Sequence, residues 1–421
     1  MEYIFTIIIG IISGTLTGLL PGIPIFLGFL LFLPLVPLDP FMMLIYAIVM
    51  TIGTQFFGSM SALYFRVPGE SSSYPILAEI NNFKDPKKLQ HAILLTTLGS
   101  LIGTTVAALG IWLAISTGVF NGLYMPILLK LFLFSLLIIF SVTSNKNYIG
   151  NFLLFLLCTI FVFYPDIASS TMGVLPIYYF NNMLAIIIVF AMQLVWNKTT
   201  YLTMKTQSKK SNYSIMNKIP MMLKYSIIGT IFGLIPQMGA SISSYATYAW
   251  EKFRGRDSFC RITASETTNN SAIVFGWFPL LLFGVPISAT EILLLQQLNT
   301  FGFSLNFINS LQAQWKLLFA MIVAGMIYFA LSVLVNYSFY KKIGKIISQR
   351  WFTLSLVILS IGMFYFLNHY SLKFISVHIL IFVPISWLIY RLKLSILSVV
   401  IGLLLMKDVL FTFRQIIQIY F

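Results

Sequence analysis

A chain of 421 residues that is 59% hydrophobic and 9% charged has too little polar surface to dissolve as a globule. Apolar runs long enough to cross roughly 30 Å of hydrocarbon recur along its length, which excludes a large soluble domain. The net charge of +15 traces to loops biased toward Lys and Arg, as membrane topology requires, and implies no nucleic-acid partner.

Met1-Glu2-Tyr3 carry no basic n-region and no small-residue cleavage site follows, so the N-terminus is expected to be retained. The first segment, residues 8–36, presents Gly10, Gly14 and Gly18 on one helix face, where small residues let backbones approach closely. It is broken at Pro21-Gly22-Ile23-Pro24. Such a break frees backbone groups that bind solutes at membrane depth, so Pro21 and Gly22 are candidate substrate ligands. In Phe65-Arg66-Val67-Pro68-Gly69-Glu70-Ser71-Ser72-Ser73, Pro68 removes a backbone donor, and Gly69, Glu70, Ser71 and Ser72 follow it. A helix starting there points free amides and hydroxyls at an anion. Arg66 is either a bidentate carboxylate ligand or a side chain snorkelling to a lipid headgroup. Apolar segments follow at about 89–115, 123–142, 148–164 and 172–195, and assigning every basic cluster to the cytoplasm closes the crossing parity.

The hydrophilic linker 197–222, with Lys205, Lys209 and Lys210, separates a first membrane repeat, 1–196, from a second, 223–421. Gly229-Thr230-Ile231-Phe232-Gly233-Leu234-Ile235-Pro236 repeats Gly14-Thr15-Leu16-Thr17-Gly18-Leu19-Leu20-Pro21 at five of eight positions. Segment 223–250 begins and ends beside Lys224 and Lys252 with Pro236 between them. This fits two half-length helices entering and leaving from one side, the alternative being two tilted helices that each cross fully. Pro236, Gly239 and Ser241 join the candidate ligands. The run Ala264 to Ala272 then offers acceptors for a cation and donors for a carboxylate. Asn269 and Asn270 are candidate substrate ligands there, and Glu266, Asn269 and Asn270 candidate ion-coupling residues; the plainer alternative is a helix cap with a solvated Glu. Phe283, Val285 and Pro286 stand 218 residues after Phe65, Val67 and Pro68, which adds Pro286 and Ser288.

The same shift maps the basic loop 84–88 onto the uncharged 302–306, and the basic loop 252–261 onto 34–43, whose only charge is Asp39. Opposite charge bias at equivalent positions predicts repeats inserted upside down relative to each other. The expected fold is an all-α polytopic membrane protein of about 10–12 transmembrane helices in two inverted-topology repeats, each with a broken or re-entrant helix pair. Cys158, Cys260 and the three histidines have no metal spacing, and no cofactor is expected. Without a nucleophile elbow, Walker loop, HExxH or dinucleotide fingerprint, the sequence points away from an enzyme.

Gly14-x3-Gly18-Leu19-x-Pro21, Leu38-Asp39-Pro40, Val67-Pro68-Gly69-Glu70, the second Gly-x3-Gly-Leu-x-Pro, Ser265-Glu266-Thr267-Thr268-Asn269-Asn270 and Gly284-Val285-Pro286 occur in this order. Together they resemble the large membrane subunit of the tripartite tricarboxylate transporters. The resemblance implies a multi-pass permease of the bacterial inner membrane that takes up a small carboxylate, coupled to a proton or Na⁺. It also implies a small membrane subunit and a periplasmic solute-binding protein as partners, and it carries over Pro68, Gly69, Glu70, Glu266, Asn269 and Asn270. The sequence departs at Gln237 and Ile287, where such proteins usually have Gly, and at Pro24; these positions bear on which anion is carried. A non-transporting membrane scaffold or assembly subunit is the alternative reading.

Overall fold

Proline, glycine and capping residues divide the chain into helices, seen in a computed structural model that describes residues 1–19, 25–65, 71–83, 85–118, 127–143, 146–171, 184–186, 188, 189, 192, 216–303, 310–334 and 372–420. Among the described residues there is no strand. The helices are α1 (Glu2–Leu19), α2 (Ile25–Phe32), α3 (Pro40–Phe65), α4 (Tyr74–Glu79), α5 (Pro86–Ser116), α6 (Ile127–Thr143) and α7 (Tyr148–Thr171) before the linker. After it come α8 (Ile219–Phe232), α9 (Gly239–Phe253), α10 (Ser258–Phe275), α11 (Phe278–Phe283), α12 (Ala289–Thr300), α13 (Leu311–Leu334), α14 (Leu372–Leu392), α15 (Ile396–Leu404) and α16 (Met406–Tyr420). The break at Pro21 and Gly22, the stretch Arg66 to Glu70 with Pro68 and Gly69, and linker residues 197–215 lie outside the described residues.

Local chemistry sets the helix starts. Asp85 accepts the Lys87 amide at 2.9 Å to cap α5, with Pro86 in the first turn, where an amide has no intrahelical partner. Asp257 caps α10 by accepting the Cys260 amide at 2.6 Å. Among the described residues four helical stretches are long and apolar enough to cross a membrane: Glu2–Leu19, Pro40–Tyr64, Lys87–Ser116 and Leu311–Leu334. Shorter apolar helices run at Lys130–Thr143, Tyr148–Val162 and Ser376–Leu392.

The chain divides into two units, residues 1–123, 199–284 and 302–349 in the first, and 124–198, 285–301 and 350–421 in the second. In the first, the duplicated glycines make duplicated contacts. A Cβ on Gly14 would lie 2.7 Å from the Met50 carbonyl, and one on Gly18 would lie 2.7 Å from that of Thr54, so α1 packs parallel to α3 with no room for a side chain. Gly229 meets the Thr268 carbonyl in the same way, and a Cβ on Gly233 would lie 2.5 Å from that of Ala272, so α8 packs parallel to α10. Thr268 and Ala272 stand 218 residues after Met50 and Thr54. Helix ends recur at the same interval: Pro40 and Ser258, Phe65 and Phe283, Ser116 and Leu334.

Members of these pairs run in opposite directions. Ser59 meets Glu266 and Gln55 meets Asn269, so α3 and α10 are antiparallel. Gly325 abuts Leu101 and Thr104 while Trp315 packs on Trp112 with ring centroids 4.6 Å apart, so α5 and α13 are antiparallel too.

The expected break at Pro236 is present. α8 ends at Phe232, the chain turns through residues 233–238, and α9 returns from Gly239. Tyr225 donates to Glu251 near the open end of this hairpin, and Gly239 sits on the Phe232 carbonyl near its tip. At about 21 Å, a 14-residue helix such as α8 is shorter than the hydrocarbon core.

In the second unit, Asn151 of α7 accepts the Ser395 amide and donates to the Val142 carbonyl, each at 2.7 Å, tying α7 to α6 and to the start of α15. Gly402 of α15 fits against Cys158 and the Phe155 carbonyl. Ser288 caps α12 by accepting the Glu291 amide at 3.3 Å, and the Glu291 carboxylate reaches back to the Ile287 amide at 2.7 Å. The two bonds make a variant of the capping box in which the carboxylate takes the amide preceding the cap, so Ser288→Ala is expected to lower stability by about 1 kcal/mol. Thermal unfolding of the purified variant checks this, and an unchanged midpoint would show that the cap contributes nothing.

Candidate functional site

In α10 every residue from Ile262 to Ala272 is buried, although most are hydroxyl or amide side chains. Such a helix survives in an apolar protein only when neighbours take up its hydrogen bonds. α3, α5, α8 and α9 surround it and do so.

Toward α3, Ser59 donates to one carboxylate oxygen of Glu266, and Asn269 Nδ2 donates to Gln55 Oε1 at 3.0 Å. Ser72 Oγ donates to the same Gln55 oxygen at 3.4 Å. Toward α9, the hydroxyls of Ser244 and Ser265 lie 2.7 Å apart, and Ser244 Oγ donates to the Ser72 carbonyl at 2.6 Å. Toward α5, Asn270 Nδ2 donates to Ser100 Oγ at 2.8 Å and to the Glu266 carbonyl at 3.0 Å. Toward α8, Ser271 Oγ donates to the Ser226 carbonyl at 2.5 Å.

The bonds that are not made carry the chemistry. Glu266 Oε1, Asn269 Oδ1 and Asn270 Oδ1 are buried oxygens that accept no hydrogen bond among the described residues. Glu266 is 0% exposed, and no ion pair neutralises it among the described residues. A buried carboxylate without a cationic side chain is stable only when it takes up a proton or a cation. Amide oxygens beside it are hard ligands of the kind alkali and alkaline-earth cations use. The helix-cap alternative for Glu266 fails, because Asp257 is the cap and Glu266 is enclosed.

One end of this cluster is closed by ionic contacts. Arg261 Nη1 lies 2.8 Å from Glu79 Oε1, which also accepts from the Tyr248 hydroxyl at 2.9 Å, while Asn82 Nδ2 donates to Glu79 Oε2 at 2.7 Å. α4, α9 and α10 are thereby latched together.

Ser72, Glu266, Asn269 and Asn270 of the expected set thus come together in one network. Ser71 opens the short 3-10 turn Ser71–Ser73 beside them. Pro236 and Gly239 shape the hairpin tip, and Ser244, three residues after Ser241, reaches α10. Pro286 and Ser288 belong to the second unit. Gln55, Ser59 and Ser100 were not singled out from sequence. The available signal was Gln55, the one amide side chain in α3, where burial of such a group demands a partner.

The description "Tripartite tricarboxylate transporter TctA family" matches residues 4–401. The chain belongs to that family. The match reaches past the regions marked by the motifs and takes in nearly all of both units. Comparison with curated proteins and with solved structures gave no match. TctA membership makes this a chain of a transporter family whose systems contain further subunits, consistent with its many apolar helices.

One departure from the usual family residues has a backbone consequence. Gln237, where the resemblance leads one to expect Gly, has φ of 63°, the left-handed region that disfavours side chains. Gln237→Gly is expected to raise stability by about 1 kcal/mol. A lower unfolding midpoint for this variant would mean that contacts of the Gln237 side chain outweigh the backbone strain.

Proposed function

We propose that this TctA-family chain is a secondary active permease of the bacterial inner membrane, importing a small organic anion, a di- or tricarboxylate, coupled to protons or Na⁺. A small membrane subunit and a periplasmic solute-binding protein are its proposed partners. The observation that carries the reading is the enclosed α10 cluster, which combines an unpaired carboxylate, unfilled amide oxygens and several donors. Glu266 and the oxygens of Asn269 and Asn270 would take the coupling ion. The second Nδ2 hydrogen of Asn269 would face the carboxylate, and the Asn270 amide and the Ser72 and Ser244 hydroxyls would join it by exchanging the protein acceptors they hold in this closed arrangement.

Arg66, Pro68, Gly69 and Glu70 directly precede Ser71 and Ser72 in the chain, so they are proposed as further ligands on the same approach. The two repeats, 1–196 and 223–421, are proposed to be inverted copies. The 218-residue recurrence of helix ends and the opposed directions of α3 against α10 and α5 against α13 support this. In such a duplication the α8–α9 hairpin is a re-entrant element, and Pro21-Gly22 marks its counterpart. Release of the Glu79–Arg261 latch would then let the hairpin move and open the cluster to one side.

The test is uptake of labelled di- and tricarboxylates by proteoliposomes holding the chain with its partner subunits, under imposed Na⁺ and proton gradients. Accumulation that follows one gradient and collapses with an ionophore is expected. Complete inactivity toward all carboxylates under both gradients would sink the reading.

A further inference from the structure

Apart from the α10 cluster, the first unit contains a cavity of about 310 Å³ at the open end of the α8–α9 hairpin. Lys218, Lys224, Arg254 and Arg256 line it together with Tyr225 and Glu251. Four cationic side chains thus converge on one small volume. Arg254 and Arg256 share the Glu251 carboxylate at 3.3 and 4.0 Å, and that carboxylate is almost fully enclosed. Lys218 pairs with Asp257 at 3.3 Å. Burial pushes the Asp257 carboxyl up, but the Cys260 amide and the Lys218 ammonium more than offset this and hold it below the usual carboxylate range. Lys224 forms no ion pair among the described residues and lies over the Tyr225 ring, 5.4 Å from its centre. Four cations against two carboxylates leave the cavity positive.

The surface beside it is apolar and open. Leu223, Ile227 and Ile231 repeat along one face of α8 at helical spacing and are exposed, and Trp250 and Phe253 are exposed at the end of α9. Phe253 is 86% exposed, next to the arginines. A basic recess opening onto an apolar stripe matches an amphiphile with an anionic head and hydrocarbon tails. The cavity also lies on the side that the basic loops assign to the cytoplasm, where anionic lipids add to the attraction.

We propose that this recess binds the phosphodiester headgroup of an anionic glycerophospholipid, with the acyl chains lying along Leu223, Ile227 and Ile231. The lipid would brace the base of the hairpin, since the recess draws on both α8 and α9. The site stands independently of the transported substrate.

The test is titration of the purified full-length chain in neutral detergent with dioleoylphosphatidylglycerol, dioleoylphosphatidylcholine or inorganic phosphate, read by the thermal unfolding midpoint and by native mass spectrometry. Phosphatidylglycerol is expected to stay bound as a discrete adduct and raise the midpoint, with phosphatidylcholine and phosphate doing neither. In Lys224→Gln/Arg256→Gln the affinity is expected to fall about thirtyfold, as two charges near an anionic headgroup imply. Lys224→Gln alone disturbs no ion pair, so it guards against a folding defect, and about a fivefold loss is expected for it. Equal binding of phosphatidylcholine, or unweakened phosphatidylglycerol binding in both variants, would overturn the site. Phosphate reproducing the full midpoint shift would overturn the lipid assignment.

Discussion

Glu266→Gln is expected to lower gradient-driven carboxylate uptake by about a hundredfold, because it removes a buried charge that no ion pair among the described residues neutralises while keeping an oxygen for Ser59. The substitution changes neither volume nor shape, so packing against α3 and α5 is preserved. Removing an uncompensated buried charge should leave the unfolding midpoint equal to wild type or higher. The diagnostic feature is the ion dependence: whichever gradient drives the wild-type chain should no longer matter in the variant. Uptake that keeps its wild-type response to the gradient would show that coupling resides elsewhere.

The largest structural effect is expected from Gly103→Val. A Cβ at Gly103 would stand 2.5 Å from the Thr267 carbonyl and 3.2 Å from the Ser271 amide nitrogen, both of them backbone atoms of α10 that have no side-chain rotamer to yield. Overpacking of this kind costs about 3 kcal/mol. It also parts α5 from α10, which would separate Asn270 from Ser100, so uptake should be lost together with stability. Leu113→Val, at an exposed position on the same helix, is the control and should stay within about 0.5 kcal/mol of wild type. Equal unfolding midpoints for the two variants would mean that the close approach of α5 and α10 is not maintained in the membrane.

Much of this arrangement was legible in the sequence because the signals are local. Pro236 lacks the amide that would carry a helix through it, and Gly14, Gly18, Gly229 and Gly233 announce close helix contact by lacking side chains. The polar run Ser265 to Ser271 had to be enclosed, since in an apolar protein its hydrogen bonds have no water to go to. Its partners were not legible. That Gln55 receives Asn269, or that Ser100 receives Asn270, follows from how α3 and α5 cross α10, and no local pattern encodes that register. Ser288 shows the opposite case: its spacing to Glu291 is local, and the cap it forms on α12 is legible from that spacing alone.

In the proposed mechanism, anion and coupling ion meet at Glu266, Asn269 and Asn270, where α10 runs antiparallel to α3. Equilibrium binding of labelled di- and tricarboxylates to the purified chain, with and without Na⁺ and across pH, tests it most directly when wild type is set beside Asn269→Ala/Asn270→Ala. Cation-dependent binding of at least one carboxylate by the wild type is expected, with its loss in a double variant that still unfolds cooperatively. Equal affinity in the two proteins would contradict it.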